Sequence, residues 1–121
     1  MLKSNILNNL KTRGFINDCT DLMGLDNLLS TSKVTCYIGY DATASSLHVG
    51  HLMNIMMLRW FQKDGHRVIT LLGGGTTKIG DPSFRKTERP LITDESINDN
   101  LLSLKSIFSK YLNFSSDFPG A

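Results

Sequence analysis

Two histidines three residues apart, His48 and His51, stand where a strand-like run gives way to a helical one. Residues at this spacing share one face of a helix, so both imidazoles are expected at the helix entrance. Imidazole donates hydrogen bonds to phosphate oxygens without the fixed charge of lysine. Unpaired backbone N–H groups at a helix N-terminus also attract anions. The pattern predicts a nucleotide site, although a helix end without a ligand fits the same short motif.

A second glycine-bearing segment repeats this arrangement. The run RVITLL (residues 67–72) is typical of a parallel strand and leads into GGGTTKIGDPS (residues 73–83). In open parallel sheets, ligands bind outside the carboxyl ends of the strands, and a right-handed crossover places neighbouring strand ends at one edge. We therefore expect both loops to face one pocket. A phosphate loop of the GxxxxGK type is excluded at Gly80 because Asp81, not lysine, follows.

The elements that must position these loops follow from hydrophobic periodicity and capping residues. The sequence predicts an α/β fold, a partial Rossmann-like nucleotide-binding domain with a parallel sheet, preceded by N-terminal helices. The predicted division is a helical segment over residues 1–33 and a nucleotide-binding domain over residues 34–121. The predicted elements are helices over residues 2–13 and 21–29, a strand over 34–38, a helix through 52–60 ending at Asp64–Gly65, a strand over 67–72 and a helix starting at Thr93.

The last predicted helix carries an apolar stripe at steps of three and four residues. Core packing explains such a stripe, and part of a subunit interface would show the same pattern. The stripe consists of Ile97, Leu101, Leu104, Phe108 and Tyr111.

Composition limits the class of protein. The 121 residues fit one domain, and 40% hydrophobic with 20% charged residues is ordinary for a soluble globular chain. Thirteen basic against eleven acidic residues leave a net charge of +2, too small to predict a nucleic-acid surface. Basic residues do cluster within and just after the second glycine segment, where they could meet phosphates or form a solvated loop. They are Lys78, Arg85, Lys86 and Arg89.

Cys19 and Cys36 match no Cys-x-x-Cys pattern, so reduced thiols and no protein-bound metal are expected. Polar residues interrupt the first ten positions, which argues against a secretory leader. These features predict a cytoplasmic protein that does not associate with membranes.

The segments YIGYDATASSLHVGH (residues 37–51) and GGTTKIGDPS (residues 74–83) resemble the two signature segments of bacterial tyrosyl-tRNA synthetases, which are class I aminoacyl-tRNA synthetases. Val49 stands where isoleucine is commoner, and Phe84 stands where a glycine is often found. The resemblance runs from about residue 15 to the C-terminus. It implies that residues 34–121 are the first half of the catalytic domain, with a lysine-rich loop and an anticodon-binding domain beyond Ala121.

The resemblance also implies the reaction. The complete enzyme, a homodimer, would activate tyrosine with ATP and Mg²⁺ to tyrosyl-adenylate and transfer tyrosine to tRNA(Tyr). Its catalytic residues would be Thr43, His48 and His51, with Thr43 and His48 on the leaving pyrophosphate. The implied ATP-binding residues are Gly39, Asp41, Thr43, His48, Gly50, His51 and Asn54. The implied tyrosine-binding residues are Tyr37, Gly39, Leu71, Thr76 and Asp81.

Other interpretations stay open at this point. Without the resemblance, Tyr37 would be taken as a core aromatic, and Thr43 and Asp81 as turn residues. The chain could be a non-catalytic remnant that binds a nucleotide or a partner chain, or a small nucleotidyltransferase of the same superfamily. We also expect the 121-residue chain by itself not to activate tyrosine.

Overall fold

The structure is a computed structural model that describes residues 1–42, 44–73 and 93–115. Four helices and two strands alternate in the order that the sequence predicts, so the α/β fold class is confirmed. The elements are α1 (Asn5–Thr12), α2 (Leu22–Thr31), β1 (Thr35–Asp41), α3 (Val49–Lys63), β2 (Arg67–Gly73) and α4 (Asp94–Phe108).

The two strands pair in parallel, in a register that runs from Thr35 opposite Arg67 to Asp41 opposite Gly73. The first strand continues to Asp41, three residues beyond the predicted end, because the pairing continues to Gly73. α3 connects the strands, so both carboxyl ends lie at one edge of the sheet, as predicted.

The two faces of the sheet differ. One face carries Tyr40 and Val68, which are buried in a core with residues of α3 and α4. The opposite face carries Tyr37, Ile69 and Leu71, which are 67%, 40% and 53% exposed. Within the described residues, this second face is therefore open. The buried members of the core are Tyr40, Ala42, Ile55, Leu58, Val68, Ile97, Leu104, Phe108 and Leu112.

The apolar stripe of α4 lies in that core. Ile97, Leu104 and Phe108 are buried, and Leu101 and Tyr111 pack against them. Core packing therefore accounts for the stripe. Thr93 caps this helix by accepting a hydrogen bond from the Ser96 N–H at 3.2 Å, which confirms the predicted start.

A separate core joins the N-terminal helices to α3. Its buried residues come from α1 and α2, and Met57, Trp60 and Phe61 of α3 pack against them. The guanidinium carbon of Arg13 lies 4.4 Å from the centre of the Trp60 ring and the Lys63 ammonium lies 5.0 Å from it, a cation–π arrangement. α3 thus contributes to both cores. The buried members of this second core are Ile6, Leu7, Leu10 and Leu29.

The start of α1 is fixed by a residue of α2. Asp26, only 2% exposed, accepts hydrogen bonds of 2.8 Å from the Lys3 N–H, the Ser4 N–H and the Ser4 hydroxyl. These interactions, led by the two backbone hydrogen bonds, lower the pKa of Asp26. Because Ser4 is held as the residue before the helix, α1 begins at Asn5 rather than at Leu2.

Two other helix ends differ from the predictions, because α2 continues to Thr31 rather than Leu29 and α3 begins at Val49 rather than Leu52. Asp21 caps α2 by accepting from the Gly24 N–H at 2.9 Å. Gly65, with φ of +89°, ends α3 in the left-handed region that glycine tolerates. Cys19 and Cys36 are free thiols. Over the described parts of the chain, no helix has both the length and the apolar character that crossing a membrane would need.

Candidate active site

The N-terminus of α3 is capped by two imidazoles. His48 Nδ1 accepts a hydrogen bond from the Gly50 N–H at 3.0 Å, and His51 Nδ1 accepts one from the His48 N–H at 3.3 Å. The two rings lie 3.9 Å apart between centroids. This is the reciprocal geometry of a capping box, with nitrogen acceptors in place of the usual side-chain oxygens. The sequence placed both histidines here but did not indicate that they cap the helix.

The capping bonds determine which nitrogen remains for a ligand. An imidazole that accepts at Nδ1 carries its proton on Nε2 when it is neutral. Burial, and secondarily the nearby His48, lower the pKa of His51, which favours the neutral ring. His48 is exposed. With Nδ1 occupied as an acceptor, its Nε2–H is left as a hydrogen-bond donor at the positive end of a helix, which suits an anionic ligand.

Gly50 leaves room for the ring of His48. A Cβ atom at position 50 would lie 2.9 Å from His48 Cε1 and 3.0 Å from His48 Nδ1, closer than such atoms approach. The resemblance implies that this glycine belongs to the ATP-binding site. The structure adds a second reason, because the capping imidazole itself needs the space.

The strand residues of the predicted tyrosine site lie together on the open face of the sheet. Gly39 is opposite Leu71 in the register, and Tyr37 lies two residues earlier on β1. A Cβ atom on Gly39 would have no described atom within 4 Å. Within the described residues, the side chain of Tyr37 is 67% exposed and does not belong to either core. Tyr37, Gly39 and Leu71 thus form a flat surface that is open to a ligand.

The other predicted residues are placed in part. Asp41 ends β1 opposite Gly73, beside the loop that leads to His48, and is half-buried. Asn54 lies on α3 one turn after Gly50 and is half-buried. Thr43, Thr76 and Asp81 lie outside the described residues, as does the basic cluster within and just after the second glycine segment.

Two residues that the sequence did not indicate support this edge of the sheet. The side-chain amide of Asn100 on α4 donates to the Ala42 carbonyl at 2.8 Å. The Tyr40 ring lies between His51 and Phe108, with centroid distances of 6.1 Å and 4.9 Å. Burial raises the pKa of Tyr40 to about 12. The available signal for Asn100 was a polar residue among the apolar positions of the α4 stripe.

The arrangement can bind and polarise a phosphate chain. It combines an imidazole donor, a helix N-terminus and an open surface of Tyr37, Gly39 and Leu71 beside them. Reactions that need only alignment and stabilisation of phosphate charge require no protein nucleophile. Among residues 1–42, 44–73 and 93–115, no three His, Cys, Asp or Glu side chains are grouped to hold a metal ion.

Comparison with known proteins places the chain among tRNA synthetases. The family model described as "tRNA synthetases class I (W and Y)" matches residues 29–117. The tyrosine–tRNA ligase of Paracoccus denitrificans is 61% identical over 112 residues, which cover 93% of this chain and 27% of that protein. The tyrosine–tRNA ligase of Cereibacter sphaeroides is 58% identical over 119 residues, which cover 98% of this chain and 29% of that protein.

Solved structures give the same result. The chain is similar to C-terminally truncated mitochondrial tyrosyl-tRNA synthetases from two fungi, at 32% sequence identity in both cases. For Coccidioides posadasii the TM-score is 0.74, and the match covers 93% of this chain and 33% of the other. For Aspergillus nidulans the TM-score is 0.79, with coverage of 88% and 31%.

The chain spans less than a third of the length of the curated relatives above. The family model nevertheless covers most of the chain, including both strands, α3 with its two histidines, and α4. The chain therefore belongs to the class I tRNA synthetases of the tryptophan and tyrosine family.

Proposed function

We propose that this chain supplies the first part of the catalytic domain of a tyrosine–tRNA ligase. In the complete enzyme, tyrosine reacts with ATP to give tyrosyl-adenylate and pyrophosphate, and tyrosine is then transferred to tRNA(Tyr). The observation that carries the proposal is the position of His48. Its free Nε2–H stands at the N-terminus of α3, beside strand ends whose open face bears Tyr37. The tyrosine ligases to which the chain is similar support this choice of amino acid.

The nucleotide would occupy the α3 side of the site. A carboxylate oxygen of tyrosine attacks the α-phosphorus of ATP, the bond from that phosphorus to the bridging oxygen breaks, and pyrophosphate leaves with the electron pair. Negative charge grows on the leaving group, so donors that strengthen in the transition state accelerate the step. His48 would supply such a donor, with His51 and Thr43 beside it. Asp41, Gly50 and Asn54 would border the adenosine, and Gly39 would lie between the two substrates.

The amino acid would lie on the open sheet face. The hydroxyl of Tyr37 would hydrogen-bond the phenol of the substrate, while Gly39 and Leu71 line the slot for its ring. Thr76 would line the same slot and Asp81 would hold the ammonium group. The exposure of Tyr37 and the open space over Gly39 support this side of the proposal.

Further parts of the proposal concern the complete protein. ATP would enter as its Mg²⁺ complex, with the ion carried by the substrate. The complete enzyme would be a cytoplasmic homodimer, and residues 34–121 would be the beginning of its catalytic domain. Residues 1–33 would be a helical segment packed on it. The contacts of α3 with both cores support that packing.

The decisive experiment is exchange of labelled pyrophosphate into ATP by the complete ligase that carries this sequence. We expect exchange that depends on tyrosine and is lost when His48 is replaced by alanine. Exchange that depends on tryptophan instead would assign the chain to the other branch of the family. Nucleotide binding without exchange would indicate a non-catalytic remnant. The 121-residue chain alone is expected to show no exchange, because it spans less than a third of the length of the curated tyrosine–tRNA ligases that it matches.

A further inference from the structure

We propose that Asn100 is a positioning residue for adenylate formation, acting through the loop that joins β1 to His48. This inference rests on the proposed function, because it names a residue that serves the same site without touching either substrate. The observation behind it is a hydrogen bond of 2.8 Å from the Asn100 side-chain amide to the Ala42 carbonyl. The two residues are 58 positions apart in the chain, so the bond ties α4 to the end of β1.

Asn100 lies at a position of α4 where an apolar residue would be expected. Asn100 lies three residues after the buried Ile97 and four before the buried Leu104, on the face of the helix that packs in the core. Asparagine is a poor helix former and a costly residue to place against a core unless its amide is satisfied. An apolar residue would pack there with less cost. The Asn100 amide is instead satisfied by the Ala42 carbonyl at the start of the loop. We therefore infer that asparagine at this position fixes where the loop begins.

The loop between Ala42 and His48 is anchored where it leaves and where it rejoins the core. Residues 44–46 are exposed, and the loop returns to the core only at Leu47, immediately before His48. Ala42 is fully buried, and its carbonyl accepts the hydrogen bond from the Asn100 amide. The two ends of the loop are therefore held at Ala42 and at Leu47. A shift at the first end would change the direction in which the chain reaches the capping imidazole.

A second contact of the same helix supports this inference. Phe108, two turns after Asn100, packs against Tyr40 at a centroid distance of 4.9 Å, and Tyr40 lies 6.1 Å from His51. α4 thus contacts Tyr40 in β1 and Ala42 just after the strand, two buried residues that precede the loop to His48. Displacements of a catalytic group by about 1 Å can cost a hundredfold in rate.

The test compares three variants of the complete ligase. Asn100→Ala removes the donor, and Asn100→Asp keeps the shape but offers only acceptors at neutral pH. Asn98→Ala is the matched control, since Asn98 is exposed on the same helix. We expect Asn100→Ala to slow single-turnover formation of tyrosyl-adenylate about tenfold, the worth of one neutral hydrogen bond. The tyrosine dissociation constant should change less than about twofold, as for a substitution away from the bound group. Asn98→Ala should change neither.

The pH dependence distinguishes positioning from general stability. A protonated carboxyl group donates a hydrogen bond, so the rate of Asn100→Asp relative to the unmodified enzyme should rise as the pH falls. A lower melting temperature with an unchanged adenylate rate in Asn100→Ala would overturn the proposal and leave Asn100 as a structural residue.

Amide hydrogen exchange tests the position of the loop without requiring any enzymatic activity. The amides of His48 and Gly50 are protected by the two imidazoles, so their exchange rates report directly on the position of the loop. Asn100→Ala should accelerate their exchange, and Asn98→Ala should not. If the unmodified ligase forms no adenylate, the proposed function fails while this measurement still decides the positioning role. Equal exchange in the two variants would reject it.

Discussion

α1 and α3 begin in opposite ways. The start of α1 is held by a buried carboxylate, Asp26, which accepts three hydrogen bonds. The start of α3 is held by the imidazoles of His48 and His51, at an exposed edge. A carboxylate is the stronger acceptor, but it would repel a phosphate. A neutral imidazole accepts the backbone N–H at one nitrogen and keeps a donor at the other. We therefore expect the first region to contribute stability and the second to serve the proposed anionic ligand.

The other two helices in the described part of the chain are also capped by oxygen atoms, unlike α3. Asp21 caps α2 and Thr93 caps α4, both with side-chain oxygen atoms. Among these four helices, α3 alone is capped by nitrogen acceptors, and it follows the loop that leaves β1. The type of cap therefore distinguishes the helix end at which we propose that the nucleotide binds.

The largest expected effect is at His48. Replacing it with alanine in the complete ligase should slow adenylate formation at least about a hundredfold, the usual loss of a donor to developing charge. Tyrosine affinity should stay nearly unchanged. His48→Asp restores an oxygen cap and should match or exceed the stability of the alanine variant while being slower still, because its charge repels the phosphates. Pre-steady-state pyrophosphate release and equilibrium tyrosine binding measure these effects. Equal losses in rate and in tyrosine binding would contradict the assignment.

Asp26 should show the reverse behaviour. Asp26→Ala leaves the Lys3 and Ser4 donors without their acceptor and should lower the melting temperature by several degrees. Adenylate formation well below that temperature should be unaffected. A loss of rate without a loss of stability would remove the distinction between the two regions.

The contribution of Asp26 should also depend on pH in a defined direction. Its pKa is lower in the folded protein than in the unfolded chain, so its stabilisation is present above about pH 4 and lost as the pH falls through the folded value. The difference in melting temperature between the unmodified protein and Asp26→Ala should therefore shrink in acid. A difference that stays constant from neutral pH to pH 3 would show that the carboxylate charge is unimportant.

Gly50→Ala should change the position of the His48 ring with little effect on the stability of α3. Alanine favours a helix by about 1 kcal/mol over glycine, but its Cβ forces the His48 ring to move. We expect little or no loss of thermal stability together with roughly tenfold slower adenylate formation, the worth of a misplaced hydrogen bond. Thermal melts and single-turnover rates on the same preparation provide the comparison. An unchanged rate would mean that the exact ring position does not matter.

The smallest effect is expected at Tyr37. Because its side chain is largely exposed, Tyr37→Phe should leave stability within about 0.5 kcal/mol. Loss of one hydrogen bond to the substrate phenol should reduce the preference for tyrosine over phenylalanine by no more than about tenfold. Ratios of kcat/KM for the two amino acids in pyrophosphate exchange measure this preference. An unchanged ratio would place the substrate phenol away from Tyr37.

Local patterns were sufficient to predict the strand, loop and helix around His48. A β-branched run, a small-residue loop, an apolar helix and a terminal glycine act over short stretches of chain, and each was found in the structure. The extension of β1 to Asp41 was missed because it depends on pairing with a distant strand.

The other features that the sequence did not predict depend on contacts between distant residues or on side-chain orientation. Asp26 reads as an ordinary polar residue of α2, and only the packing of α1 beside it makes it a cap. The Asn100 bond to Ala42 spans 58 residues, so no window of sequence contains both partners. The histidines were located correctly, but the nitrogen atoms that cap the helix are a matter of side-chain orientation.

The sharing of α3 between two cores has a consequence for the order of assembly during protein synthesis. The N-terminal core is completed by residues no later than Phe61, whereas the sheet core also needs Ile97, Leu104 and Phe108 of α4. At about 5–20 residues per second, the ribosome needs several seconds to add the intervening chain. The first core can close in that interval and anchor one end of α3. The helix that carries His48 is thus docked before the helix that carries Asn100 has been made.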